Sequence, residues 1–272
     1  MDARQALLQQ LQSLRGAGVT HLPAVKRSAV RAAVPPSAES AGGSPEPVVE
    51  EPPASVQPQP AEETPLPKRS KPKPAGGNSI ADRTAALEVL AAEVAGCTRC
   101  GELARTRKQT VFGVGNPRPR LVFYGEAPGA DEDRQGEPFV GRAGQLLDKI
   151  LEACGLRRDE VYILNTLKCR PPANRTPLPE EVANCSEYFE RQIAILQPEF
   201  ICCLGAVAAK SLFENMRSLG QMRGKVHSWR EYQVVVTYHP AYLLRNPDMK
   251  RAAWEDMQML LTAMGLPIPN KS

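Results

Sequence analysis

Four apolar, β-branched or aromatic runs recur between residues 121 and 240: LVFYGE (121–126), VYILNTLK (161–168), FICCLG (200–205) and VVVTYHP (234–240). Helical patterns lie between the first three. AGQLLDKILEACGL (143–156) puts Leu146, Leu147, Ile150 and Leu151 on one face and closes on Gly155. PEEVANCSEYFERQIAIL (179–196) opens with Pro and acids, as a helix start should. AVAAKSLFENM (206–216) follows the third run, and PDMKRAAWEDMQMLLTAMG (247–265) closes the pattern. Strand and helix alternating at this spacing predicts an α/β fold, a mainly parallel four-stranded sheet covered by helices on both faces. The link from Leu212 to Val234 is irregular, with Gly220 and Gly224, and reads as a hairpin or a loop.

The runs end in residues that carry chemistry: Glu126, Asn165, Gly205 and His239. Open α/β sheets bind ligands in the crevice at the carboxyl ends of their strands. A carboxylate, an amide and an imidazole would therefore meet in one place. Singly, each has a bland reading: a solvated acid, a turn cap, a satisfied core histidine. Three at equivalent topological positions favour a site. The stretch GEAPGADED (125–133) adds Asp131, Glu132 and Asp133, which suit a metal site, a ligand-binding loop or a solvated turn alike.

Residues 1–80 hold 13 of the 26 prolines and no Phe, Trp or Tyr, while every cysteine lies beyond them. Such a segment cannot bury enough apolar surface to offset the entropy of ordering. The expected organisation is a short helix and a disordered linker over 1–80, then one folded domain over 81–272. Leu7, Leu8, Leu11 and Leu14 form a short helical stripe between Arg4 and Arg15, unlike a signal peptide, and either dock on a partner or fray. PKRSKPKP (67–74) is linker charge, a nuclear signal or a loose DNA tether. No run approaches the roughly 18 apolar residues of a membrane span. The expectation is a cytoplasmic monomer with reduced thiols. Residues 81–272 carry 25 Lys and Arg against 23 Asp and Glu, too even a balance to argue for nucleic acid by itself.

Of the seven cysteines, Cys154, Cys202 and Cys203 fall in apolar patterns and read as small buried hydrophobes. Cys97 and Cys100 form C-x-x-C, Cys169 follows after 68 residues, and Cys185 after 15 more. A zinc ribbon usually shows two close C-x-x-C pairs. A [4Fe–4S] cluster needs four thiolates but tolerates varied spacing. Spacing leans to the cluster and leaves zinc open.

GEAPGADED, PFVGRAGQLLDKIL, LNTLKCRPPANRTP and HPAYLLR, with these cysteines, closely resemble the family-four uracil-DNA glycosylases, the iron–sulfur branch of their superfamily. The resemblance spans roughly residues 85–264. It implies a three-layer α/β/α sandwich and hydrolysis of the N-glycosidic bond of uracil in DNA. It also implies a structural [4Fe–4S] cluster on Cys97, Cys100, Cys169 and Cys185. Phe139 is the ring that the family pattern sets against uracil, and Asn165 can bond its O4 and N3–H. His239 would donate toward O2 as negative charge develops there. Gly125, Glu126 and Ala127 would line the uracil pocket, with Glu126 the acid of the reaction and Glu132 supporting the wall; Asp131 and Asp133 either share that role or are solvated. Another branch has a water-activating Asp where this chain has Ala127, so that role does not carry over. HPAYLLR would form a loop pushing Leu244 or Arg245 into the DNA. Arg223, Lys225, Arg230, Lys250 and Arg251 are candidate phosphate contacts. The partner is uracil-containing DNA, single- or double-stranded, with a repair or replication protein for the N-terminal tail.

Two other readings compete. Glu126, Asp131, Glu132 and Asp133 could hold Mg²⁺ in a nuclease or phosphohydrolase. A cluster-bearing module could capture damaged DNA without turnover. A related branch retains the abasic product through a histidine, and the segment after Asn165 carries none.

Overall fold

The computed structural model describes residues 79–269 except Glu214 and Arg217. Of the segment expected as short helix and linker over 1–80, residues 1–78, with the leucine stripe and the basic run, lie outside the described residues, whereas Ser79 and Ile80 already belong to the first helix, as its N-cap and first residue. The first helix, α1 (Ile80–Ala95), starts at a capping box: Ser79 Oγ accepts from the Asp82 N–H at 3.1 Å and donates to its carboxylate at 2.6 Å. Leu87, Leu90 and Val94 of α1 are buried. A short helix α2 (Gly101–Thr106) follows.

The sheet contains β1 (Val114–Gly115), β2 (Leu121–Gly125), β3 (Tyr162–Asn165), β4 (Phe200–Leu204), β5 (Val226–Trp229) and β6 (Tyr232–Thr237). Their order is β1-β3-β2-β4-β6-β5. The four expected runs form the parallel centre, β3-β2-β4-β6. The sheet nevertheless has six strands, because β1 and β5 add antiparallel edges. β1 is two residues long, and β5 alternates exposed with half-buried residues, so neither makes an apolar run. The irregular link resolves into a four-residue helix α7 (Leu219–Met222) and the β5–β6 hairpin.

Every residue of β2, β3 and β4 is buried, as strands covered on both faces must be. One face packs α1, α5 (Pro179–Leu196) and α6 (Ala206–Leu212) through Leu87, Phe189, Ile193, Ala208 and Leu212. The Tyr124 ring of β2 stacks on Phe189 of α5 at 4.2 Å. The other face packs α4 (Arg142–Ala153) and the last helix, α9 (Lys250–Ala263), through Leu147, Leu151, Met257, Leu260 and Leu261. The architecture is a three-layer α/β/α sandwich. Cys154, Cys202 and Cys203 are buried within it, as their apolar surroundings predict.

Two devices hold the ends. The Arg83 guanidinium of α1 donates to the Leu196 carbonyl at 2.6 Å, capping the carboxyl end of α5. Where β2 and β4 begin, Arg120 forks onto Glu199 at 3.1 and 2.9 Å and reaches the Met264 carbonyl after α9.

Candidate active site

The parallel register aligns Gly125 with Asn165, Tyr124 with Cys203, and Leu204 with Thr237. The residues just beyond these pairs therefore emerge side by side. They open on a cavity of about 690 Å³ lined by Glu126, Ala127, Glu132, Phe139, Asn165 and His239, among others.

Phe139 is buried, with a backbone φ of 55°, in the left-handed region that non-glycine residues seldom occupy. Glu132, on the short helix α3 (Ala130–Gln135), holds this bend. One carboxylate oxygen accepts from the N–H groups of Val140 and Gly141, both at 3.0 Å, and the other from Gly129 at 3.0 Å. At Gly144 a Cβ would lie 1.8 Å from the Phe139 carbonyl oxygen, so only glycine lets α4 start against the bend.

These contacts separate the acids of GEAPGADED. Glu132 is saturated by backbone donors. Asp133 is buried rather than solvated, accepting from the Lys108 N–H at 2.9 Å. Asp131 is ion-paired to Arg134 on the surface. Each of these three acids is held by its own donors, and among the described residues no three of the acids form a metal-holding group, so the Mg²⁺ reading lacks a ligand set.

Asn165 is 2% exposed, and its side-chain oxygen has no hydrogen-bond partner among the described residues. A buried acceptor left unpaired costs free energy that a ligand N–H would recover. The His239 ring lies 5.5 Å from that of Phe139. Burial, aided by the nearby Arg245 cation, pushes His239 down to about 4, so its imidazole is neutral at physiological pH. Nδ1 accepts the Ala241 N–H at 3.1 Å, which leaves the proton on Nε2. Burial raises the Glu126 carboxyl above its ordinary value.

HPAYLLR is a short helix, α8 (Pro240–Arg245), rather than a loop, because Pro240 at N1 and the His239 ring as N-cap both favour a helical start. Leu243 is buried while Leu244 is exposed, and Arg245 lines the cavity. Sequence reasoning missed Tyr238, also on the cavity. Its ring lies between the Arg223 guanidinium at 4.1 Å and the Tyr242 ring at 5.0 Å. Arg223, a candidate phosphate contact, is committed inward: its Nε donates at 2.7 Å to Asp256, which also accepts from Thr237 Oγ1 at 2.7 Å and the Gly224 N–H at 3.2 Å. Asp256 stands on the buried face of α9 with Ala253, Met257 and Leu260, an acid within an apolar stripe that could have signalled the pair. Arg230 pairs with Glu190 and Arg251 with Glu255, both at the surface.

Pro171, Asn174, Arg175 and Thr176 form a further part of the cavity wall. Arg175 anchors it by ion pairs to Glu181 at 2.6 Å and Glu102 at 2.7 Å. Behind this wall Cys100, Cys169 and Cys185 share one apolar cluster with Leu103 and Leu167, and Cys97 packs beside it against Leu90, Val94 and Tyr188. Burial raises the Cys185 thiol to about 11 and lifts those of Cys169 and Cys100. Against that, Arg107 donates to the Cys169 sulfur at 3.0 Å, and the Asn184 amide to the Cys100 sulfur at 3.6 Å. Lys168 is buried beside Cys185 and Cys169; burial lowers its ammonium to about 7, and the two thiols oppose that shift. Among the described residues, no three His, Cys, Asp or Glu side chains surround a point closely enough to hold a single metal ion. No helix among them is long and apolar enough to cross a membrane.

Residues 112–258 match the family model of the uracil DNA glycosylase superfamily. Among curated proteins, the chain is 42% identical over 182 residues to the type-4 uracil-DNA glycosylase of Archaeoglobus fulgidus, covering 64% of this chain and 91% of that one. It is 44% identical over 176 residues to the type-4 enzyme of Thermotoga maritima, covering 63% and 91%. The type-5 uracil-DNA glycosylase of Thermus thermophilus is more distant, 28% identical over 180 residues, covering 55% and 78%.

Proposed function

Since this chain belongs to the uracil DNA glycosylase superfamily, in its type-4 group, we propose that the cavity at the strand ends is where it takes up uracil. The protein is an enzyme that excises uracil from DNA by hydrolysing the N-glycosidic bond, a repair reaction. A base within a duplex is out of reach, so the uracil must be flipped into the cavity or come from a single strand.

The observation that carries the assignment of roles is the unpaired Asn165 oxygen beside Phe139. With uracil stacked on Phe139, that oxygen accepts N3–H while the amide N–H donates to O4. Cytosine presents an acceptor at N3 and a donor at N4, so it leaves the same buried groups facing like against like. As the bond breaks, charge accumulates on the uracil, and the neutral His239 donates from Nε2 toward O2. A neutral donor already desolvated needs no reorganisation at that moment. Glu126, at the mouth and free of any ion pair among the described residues, positions the water and stabilises the oxocarbenium-like sugar. Leu244 and Arg245, on the exposed end of α8, occupy the gap the base leaves.

Cys97, Cys100, Cys169 and Cys185 would hold a [4Fe–4S] cluster. Three of these cysteines share one apolar patch and Cys97 packs beside it, and four thiolates at varied sequence spacing suit an iron–sulfur cluster. The Arg107 and Asn184 donors are the hydrogen bonds that thiolate ligands attract. When bound, the cluster supplies a covalent cross-link, joining the C-x-x-C segment and the 169–176 wall to α5.

The test is incubation with a single-stranded oligonucleotide carrying one uracil, in EDTA, followed by alkali. Scission at that position only after alkali is the expected result. Asn165→Ala should abolish uracil selectivity, and direct cutting that requires Mg²⁺ would overturn the reading.

A further inference from the structure

Lys168 is 1% exposed, and no carboxylate among the described residues pairs with it. Its Nζ donates one hydrogen bond, at 2.9 Å, to the backbone carbonyl of Asn165. The strand ladder explains why that carbonyl needs a partner. Beyond the last β2–β3 pair, Thr166 and Leu167 still donate to the Gly125 and Glu126 carbonyls at 2.9 and 3.0 Å. The chain then turns back, and the Asn165 carbonyl is left for the lysine. The backbone of Lys168 is tied as well: its carbonyl accepts from the Val111 N–H at 2.8 Å, and its N–H donates toward the Cys185 sulfur. Cys169 is the next residue.

A buried amine is costly unless it finds an acceptor, and for Lys168 that acceptor is the Asn165 carbonyl. We propose that Lys168 is a positioning residue for base recognition, its Nζ–H fixing the Asn165 main chain. It touches neither substrate nor reacting atoms. It acts through Asn165, whose amide must meet the pyrimidine edge within a fraction of an ångström, and a misplacement of about 1 Å at such a group costs about 10²-fold. The inference rests on the role given above to Asn165.

The experiment uses the full, iron-loaded chain and free uracil as the probe. Lys168→Met keeps the stem and removes both charge and donor. The expected result is a KM raised and an inhibition by free uracil weakened by about 10- to 100-fold, with kcat changed less. A Met variant inhibited by uracil like the parent overturns the proposal. Should Lys168→Met not fold, Lys168→Arg decides, because it retains a donor. Parent-like uracil inhibition there supports the proposal, and weakened inhibition overturns it, since a donor is all the proposal asks of that position. Asn165→Ala is measured alongside: unchanged uracil inhibition there would refute the role of Asn165 itself, a failure distinct from that of the lysine.

Discussion

Gly125 lies so close to the edge of Phe139 that a Cβ on it would stand 2.6 Å from the ring's Cζ, and 2.3 Å from the Asn165 side-chain oxygen. The two groups assigned to stacking and reading thus meet over a residue with no side chain. Overpacking of this kind costs about 1–3 kcal/mol. If Gly125→Ala displaces the ring or the amide, kcat/KM on uracil DNA should fall about 10- to 100-fold at the corresponding cost of 1.4 kcal/mol per decade. Steady-state kinetics beside a melting curve checks this, and full activity would show that the cavity relaxes around the methyl group.

His239 titrates at about 4 in the folded chain, below the ordinary histidine value of about 6.5. The folded state therefore binds this proton less readily than the unfolded state does. Its stabilising share is complete above about pH 6.5 and is lost as pH falls toward 4. Nitrogen-15 NMR of the ring at pH 6 should report a neutral imidazole with its proton on Nε2. A cationic ring at that pH would contradict the donor role.

Glu126 has the opposite sign. Burial raises its folded pKa, so ionising it opposes folding at neutral pH. Glu126→Gln should leave thermal stability unchanged or higher while lowering kcat by about 10²-fold or more. The acid limb of the parent's pH–rate profile, expected above the usual carboxylate range, should disappear in the variant. Retention of that limb would assign it to another group.

Two further acids should prove structural. Glu132→Ala strips three backbone N–H groups of their acceptor, and Asp256→Ala leaves the half-buried Arg223 cation unpaired. Each should destabilise by about 3–5 kcal/mol, measured by denaturant titration. Glu132→Ala should also loosen the Phe139 bend and raise KM. Neither loss should respond to added Mg²⁺.

The parallel centre was legible because strands buried on both faces must be written as apolar runs, and LVFYG and FICCL are. Glu126, Asn165 and His239 were legible for a related reason, since the same topology brings the ends of such runs together. The edge strands were not. Val114–Gly115 is too short to carry a period, and Val226–Trp229 is half solvated. Asp133 and Arg223 went unrecognised because a charged letter reads as surface until its partner is known. Those partners, the Lys108 N–H and Asp256, lie 25 and 33 residues away.

The clasp of Arg120 on Glu199 and the Met264 carbonyl lies where β2 and β4 begin, at the far end of the strands from the cavity. All the proposed chemistry hangs from one rim of the slab, so the other rim is free to drift. Evolution could lengthen its turns, and an engineer could splice a fluorescent reporter or an affinity handle there, with little effect on catalysis. For an enzyme whose cavity opens at one rim, the opposite rim is the natural attachment point.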